Sequence, residues 1–295
     1  MLVATGSLRA SAVLAAFFGF TLPLMPVQAV LLRVSSNAAR RFPQWYHRQV
    51  CRILGITLKI DGAVARDVPV LLVCNHTSWL DIPVLSALAP VSFVAKLEVG
   101  GWPFVSALAR LQRSVFVDRT RRQAAGEGAS NIMGRLKQGD TVVLFPEGTS
   151  SDGNRVLPFK TSLFGAGFGQ DAASDPQVVV QTVAVVYTHI HGVPVTRADR
   201  PRLGWYGDME MTSHAWGVLK SGPVTATIMV GPPVPLGDFK HRKQLALQSE
   251  RAIRSAVYGI LRGRPGDPTL VPVEPSEEYR RKKLAVPQAR SEKWT

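Results

Sequence analysis

Residues 68–81 read VPVLLVCNHTSWLD, an apolar run that stops abruptly at a polar loop. The run is β-branched and carries no alternating polar position, as a strand buried on both faces does. Four further runs of this kind follow: Val91–Ala95, Thr141–Phe145, Val178–Tyr187 and Val224–Val230, each bounded by Pro, Gly, Asp or Asn. Between and after them lie helix-like stretches at Ile82–Ala89, Pro103–Leu111, Ala124–Gln138, Thr161–Phe168 and Arg242–Leu261. Strand and helix in alternation predict an α/β fold: a single domain with a mostly buried central sheet flanked by helices.

Upstream, Ala10 to Leu32 contains no charged residue. As a helix its 23 residues would cover about 35 Å, enough to cross a hydrocarbon core. Pro23 and Pro26 interrupt it, and two shapes fit: one kinked helix, or a re-entrant pair of short ones. A cleavable leader is the rival reading, but the stretch is long for one and Val27-Gln28-Ala29 is a poor cleavage site. The arginines Arg33, Arg40, Arg41, Arg48 and Arg52 follow it and only Arg9 precedes it, which predicts that the remainder of the chain is cytoplasmic. Residues Phe42–Leu54 then place Trp45, Tyr46, Val50 and Ile53 among basic residues. A helix lying at the membrane interface and a surface helix packed on the domain both suit that pattern. The expected organisation is a membrane-anchoring segment over residues 1–40, a catalytic domain over 41–263, and a basic, flexible tail over 264–295 that includes Arg280-Arg281-Lys282-Lys283.

The chain has 35 Lys plus Arg against 21 Asp plus Glu, a formal net charge of +14. That excess favours an anionic partner: nucleic acid, an anionic membrane surface or an acidic carrier protein. No nucleic-acid motif is present and the basic residues are spread along the chain, which argues against nucleic acid. Cys51 and Cys74 have no metal-like or redox-like spacing and read as buried thiols in a reducing compartment.

Two loops carry chemistry. In Asn75-His76-Thr77-Ser78-Trp79-Leu80-Asp81, His76 and Asp81 are five apart, about 140° of rotation on a straight helix, so they would not face each other there. A strand-to-turn-to-helix transition brings such a pair together, and the carboxylate then holds one imidazole nitrogen while the other removes a hydroxyl proton. Alone, this spacing suits a structural histidine better than a catalytic one. Phe145-Pro146-Glu147-Gly148-Thr149-Ser150-Ser151 follows another buried strand and suits a polar headgroup, or a turn capped by its glutamate.

Taken together, NHTSWLD and FPEGTSS, in this order and about 70 residues apart, resemble the phospholipid/glycerol acyltransferase family with its H-x4-D and F-P-E-G-T blocks. Val115–Arg119 resembles the family's block between them, and Val183–Tyr187 its late buried strand. The resemblance covers roughly residues 68 to 190 and implies an O-acyltransferase moving a fatty acyl group from an acyl thioester to a lyso-lipid acceptor. It implies His76 as general base, Asp81 as its partner, and Glu147, Gly148, Thr149 and Arg119 at the acceptor. No metal, cofactor or acyl-enzyme is expected, and no G-x-S-x-G elbow occurs. Ser78 is read as a turn or cap residue, and His189 and His191, which one strand face would hold together, as structural.

Departures bear on the acceptor. Enzymes using 1-acyl-glycerol-3-phosphate usually have Arg where Ser150 stands, Gly where Arg113 stands, and Pro where Thr182 stands. Arg113, Arg119 and Arg155 remain for a phosphate. Phe93–Lys96, Leu144–Lys160 and Trp205–Met209 resemble bacterial lyso-ornithine lipid acyltransferases, which acylate the 3-hydroxyl of an N-acylated ornithine. That resemblance favours lyso-ornithine lipid over lysophosphatidic acid, with acyl carrier protein as donor ahead of coenzyme A, at the inner membrane of a bacterium. The rival of another class is a membrane-bound lipid binder without catalysis.

Overall fold

The computed structural model describes residues 2–117, 122–168, 178–264 and 266–270. In chain order its elements are α1 (Leu2–Val34), α2 (Ser36–Leu54), β1 (Ile56–Asp61), β2 (Val70–Cys74), α3 (Asp81–Leu88), β3 (Val91–Lys96), α4 (Pro103–Leu111), β4 (Val115–Val117), α5 (Arg122–Lys137), β5 (Thr141–Leu144), β6 (Val179–Ile190), β7 (Val193–Pro194), α6 (Met211–Ser221), β8 (Val224–Val230), β9 (Val234–Pro235) and α7 (Arg242–Leu261). Thr161–Phe168, expected to be α-helical, winds as a 3₁₀ segment; Gly165 and Gly167 favour that tighter, shorter form over a full helix.

One sheet organises the chain in the order β1-β8-β6-β2-β5-β3-β4, with β7 and β9 added to β6. From β6 through β4 neighbouring strands run parallel, while β8 meets β6 antiparallel and brings β1 with it. Both faces are covered. Leu71, Val73, Val142, Leu144, Ala184 and Val186 point into one core closed by α5 and α7. Leu72, Cys74, Val143, Val183, Val185 and Tyr187 point into the other, closed by α2, α3 and α6. This two-sided burial is why β2 and β5 are unbroken apolar runs.

The N-terminal helices pack on the second face. α1 continues through Pro23 and Pro26 as one helix, so of the two shapes expected the re-entrant pair is not the one adopted. Its partners are helix carbonyls that backbone N–H groups cannot reach. Pro43 cannot donate to Ala39 four residues before it, and Gln28 Nε2 donates to that carbonyl at 2.9 Å and to the last carbonyl of α4, Leu111, at 2.9 Å. Arg9 donates to Leu54 at the end of α2 and to Leu219 in the last turn of α6, a cation at two negative helix ends. Gln44 and Arg48 of α2 serve the closing carbonyls of α3, Leu88 and Ala87, in the same way. So α2 is a helix packed on the domain, and the boundary expected between residues 40 and 41 falls inside it. The opposite face of α1, with Leu8, Phe18, Leu22, Val27 and Val30, is exposed.

Candidate active site

The sheet register builds the site. Val73 of β2 lies opposite Leu144 of β5, so the residues three beyond each, His76 and Glu147, emerge side by side although 71 positions separate them. Asn75 continues the ladder after β2 ends: its side chain accepts from Val185 N at 2.8 Å and donates to Val185 O at 2.9 Å. The six residues 75–80 then turn the chain into α3, whose first residue is Asp81.

This turn brings His76 and Asp81 together. His76 Nδ1 lies 2.8 Å from Asp81 Oδ2, which also accepts from the N–H groups of Thr77 at 2.8 Å and Ser78 at 3.0 Å. With an acceptor of this kind at Nδ1, the ring proton sits there and Nε2 carries the lone pair. The Tyr187 hydroxyl donates to Asp81 Oδ1 at 2.6 Å, and burial, with the Asp81 charge next, holds that phenol well above its ordinary pKa. Asp81 is fully buried while the His76 side chain keeps 20% exposure, and the imidazole stacks on Phe145 with ring centroids 4.2 Å apart. The pair is a buried carboxylate behind a partly open base. Ser78 is fully buried and its hydroxyl has no partner among the described residues, which removes it from the surface where a nucleophile would act.

Glu147 differs from its expected place facing the acceptor. It is 1% exposed, and its oxygens accept from His76 N and from Leu157 N, each at 2.7 Å. Burial pushes its pKa up to about 8, against those two donors, which favour the charged form. The carboxylate therefore ties the two loops together from behind. Gly148 holds φ at +74°, a conformation in which an L side chain is strained. Thr149 is exposed at the rim. Ser150, in the place where phosphate-using enzymes carry Arg, donates its hydroxyl to Trp205 O, while Trp205 N donates to Thr77 O at 2.9 Å. A latch between the loops stands where those enzymes carry a cation.

The arginines divide. Arg113 adopts φ +62°, which accounts for a glycine there in relatives, and its guanidinium pairs with Asp140 at 2.9 Å. Asp140 precedes the first residue of β5, so this pair lies at the N-terminal end of the parallel strands, opposite the end that carries His76, and Arg113, one of three arginines that remained for a phosphate, is a structural tie. Arg40 joins the same carboxylate at 2.9 Å. Arg119 lies outside the described residues, as does the basic run Arg280–Lys283. His191 sits in the turn after β6 at φ +52°, off the strand face expected to hold it beside His189. Tyr187 and Asn75 were not read as site residues. The signal was there for Tyr187: a phenol closing a buried apolar strand needs a partner for its hydroxyl.

The His76–Asp81 loop stands on a mixed sheet with an apolar N-terminal helix, an arrangement with known counterparts. The acyltransferase family model matches residues 55–199. The lyso-ornithine lipid O-acyltransferase of Brucella abortus is 44% identical over 260 residues, covering 88% of this chain and 97% of that protein. The chain belongs to the acyltransferase family. The lyso-ornithine lipid O-acyltransferase of Rhizobium meliloti is 43% identical to this acyltransferase over 245 residues, 83% of the chain and 84% of the relative. The crystal structure of the 1-acyl-sn-glycerophosphate acyltransferase from Thermotoga maritima shares the acyltransferase's fold with a TM-score of 0.64 at 22% identity, over 88% of this chain and 98% of that one. The α/β architecture expected from residues 68–81 outward is thus the fold of a solved acyltransferase. The family also makes this protein an enzyme of acyl transfer, with α1 long and apolar enough to enter a membrane.

Proposed function

We propose that this acyltransferase moves a fatty acyl group from acyl carrier protein to the hydroxyl of lyso-ornithine lipid, with His76 as the general base. The observation that carries the chemistry is the His76–Asp81 pair at 2.8 Å, with Nε2 left to act. His76 Nε2 takes the proton of the acceptor hydroxyl as its oxygen attacks the thioester carbonyl. Asp81, braced by two backbone N–H groups and Tyr187, stabilises the imidazolium that forms. Collapse of the tetrahedral intermediate breaks the carbon–sulfur bond, and the departing thiolate takes the proton back from His76. Glu147 acts in this scheme by holding the His76 backbone.

Two features support the acceptor: relatives above 40% identity act on lyso-ornithine lipid, and Ser150 is spent on the Trp205 latch. The +14 charge suits both an acidic carrier protein and an anionic membrane surface. For the membrane seat, Arg9 and Gln28 clamp α1 to the domain at points about 28 Å apart along the helix, at about 1.5 Å per residue. A helix held that way keeps one face on protein and gives the other to lipid, with both ends on one side of the bilayer. The acceptor then reaches His76 with its chain still in the leaflet.

The test is a paired transfer assay with labelled acyl carrier protein, detergent-solubilised enzyme, and lyso-ornithine lipid or 1-acyl-glycerol-3-phosphate as acceptor. Transfer to lyso-ornithine lipid, lost in His76→Ala, is the expected result. Transfer to 1-acyl-glycerol-3-phosphate alone would overturn the acceptor, and full activity of His76→Ala would overturn the base.

A further inference from the structure

Asn75 and Thr77, which flank the catalytic histidine, also line a pocket together with Gly153, Arg155, Tyr187 and Arg200. Arg200 comes from a segment that the motifs do not reach, and the fold delivers it here on purpose-built contacts. It opens a short 3₁₀ turn after β7, and that segment is fastened to the catalytic loops at three places. Trp205 N donates to Thr77 O, Ser150 donates to Trp205 O, and Asn154 Nδ2 donates to Arg197 O at 3.2 Å. Arg200 Nη1 is then fixed by Asn154 Oδ1 at 2.9 Å, while its Nε–H is buried and has no partner among the described residues. A buried guanidinium N–H without an acceptor is a cost the protein carries unless something fills the place. Desolvation lowers the Arg200 pKa, and Arg197 nearby adds to it.

We propose that this pocket takes the carboxylate of the acceptor's amino-acid head, with Arg200 as the residue that selects for it and Arg155 at its exposed rim. The assignment rests on lyso-ornithine lipid being the acceptor. In an N-acylated ornithine whose 3-hydroxyl is acylated, six bonds separate the reacting oxygen from the carboxylate carbon, about 7 Å when extended at ordinary bond lengths. A carboxylate site must therefore be built from the immediate neighbours of His76, and this pocket is. Guanidinium suits the ligand because its N–H groups match two carboxylate oxygens at once. The head also carries an ammonium, and Asp152, whose charge is felt by Arg200, lies one residue from the pocket wall at Gly153. A phosphate monoester has no cation to offer that aspartate.

The experiment measures kcat and KM of the full-length enzyme for lyso-ornithine lipid and for its carboxyl methyl ester, in wild type, Arg200→Gln and Arg200→Lys. Wild type is expected to prefer the free acid. Arg200→Gln should raise KM for the free acid about ten-fold or more with kcat nearly unchanged, as loss of a uniform binding contact does. It should leave KM for the methyl ester close to the wild-type value, and Arg200→Lys should recover part of the preference. An unchanged KM for the free acid in Arg200→Gln, or an equal loss on both acceptors, would overturn the Arg200 assignment while the acceptor reading stands. A wild type that acylates 1-acyl-glycerol-3-phosphate and not lyso-ornithine lipid would overturn the acceptor reading itself, and the carboxylate pocket with it.

Discussion

Replacing Asp81 with Asn tests the catalytic reading more sharply than removing the histidine, because the hydrogen-bond frame survives. Oδ2 of Asp81 accepts three N–H donors, from His76, Thr77 and Ser78, and Oδ1 accepts the Tyr187 hydroxyl. An asparagine can place its carbonyl oxygen toward the three donors and its amide toward the Tyr187 oxygen, which then accepts, so the loop keeps its shape. What disappears is the negative charge opposite the imidazolium. Two unit charges about 4 Å apart at an effective dielectric constant of about 20 attract by about 4 kcal/mol. His76 is partly exposed and the charge is incomplete at the transition state, so the loss in kcat should be about a hundred- to a thousand-fold, at 1.4 kcal/mol for each factor of ten. The assay is single-turnover transfer to lyso-ornithine lipid, with thermal unfolding in the same detergent to show that the variant is folded. A folded Asp81→Asn enzyme within about tenfold of wild-type kcat would refute the proton-transfer role of the pair.

Tyr187→Phe removes only the donor at Oδ1 and leaves the charge, so kcat should fall by about ten-fold, the scale of one hydrogen bond to a charged group, and stay well above Asp81→Asn. Glu147→Gln should lower stability by about 1–3 kcal/mol, because the amide N–H₂ must face either the His76 or the Leu157 N–H; an unchanged melting temperature would count against the brace. Glu147 also sets a pH dependence. Its pKa is raised from 4.5 to about 8, so the folded state takes up a proton the unfolded state lacks; its contribution is most favourable below 4.5 and is lost as pH rises through about 8. Melting temperature should therefore fall more steeply with pH in wild type than in Glu147→Gln, and parallel curves would contradict the assignment. Gln28→Leu leaves the Ala39 and Leu111 carbonyls without their side-chain donor; it should lower stability by about 1–3 kcal/mol while kcat is kept, and a kcat that falls with it would show that α1 acts on the chemistry.

The sheet's centre was legible because its strands are buried on both faces, and burial on both faces writes itself as an uninterrupted apolar run. β1 was not, since ITLKID alternates at the sheet's edge and ends on a Lys and an Asp that resemble a surface loop. Three residues sufficed for β4 because β3 supplies the pairing, which no local pattern records. α6 starts from the Glu210 side chain as its cap and contains Gly217, so its sequence carries only a faint helical signature. In the site, His76 and Asp81 could be paired from the strand-turn-helix sequence around them. The burial of Glu147 could not be read, because a carboxylate after an apolar strand can face either outward or into the neighbouring loop, and the β2–β5 register decides between them. The same holds for Arg113: its charge left it available as a ligand, and its position before rather than after a parallel strand sends it to the opposite end of the sheet.

The clamp at Arg9 has a consequence for how the chain is made. Its partner Leu219 is 210 residues downstream, and β1 waits for β8 in the same way. At about 5–20 residues per second, a ribosome adds that length in about 10–40 s. Over that interval α1 can already fasten to α2, through Arg9 to Leu54 and Gln28 to Ala39, while its contact to α6 is unmade. The contact from Arg9 to Leu219 therefore closes the N-terminal helix onto the domain only late in synthesis.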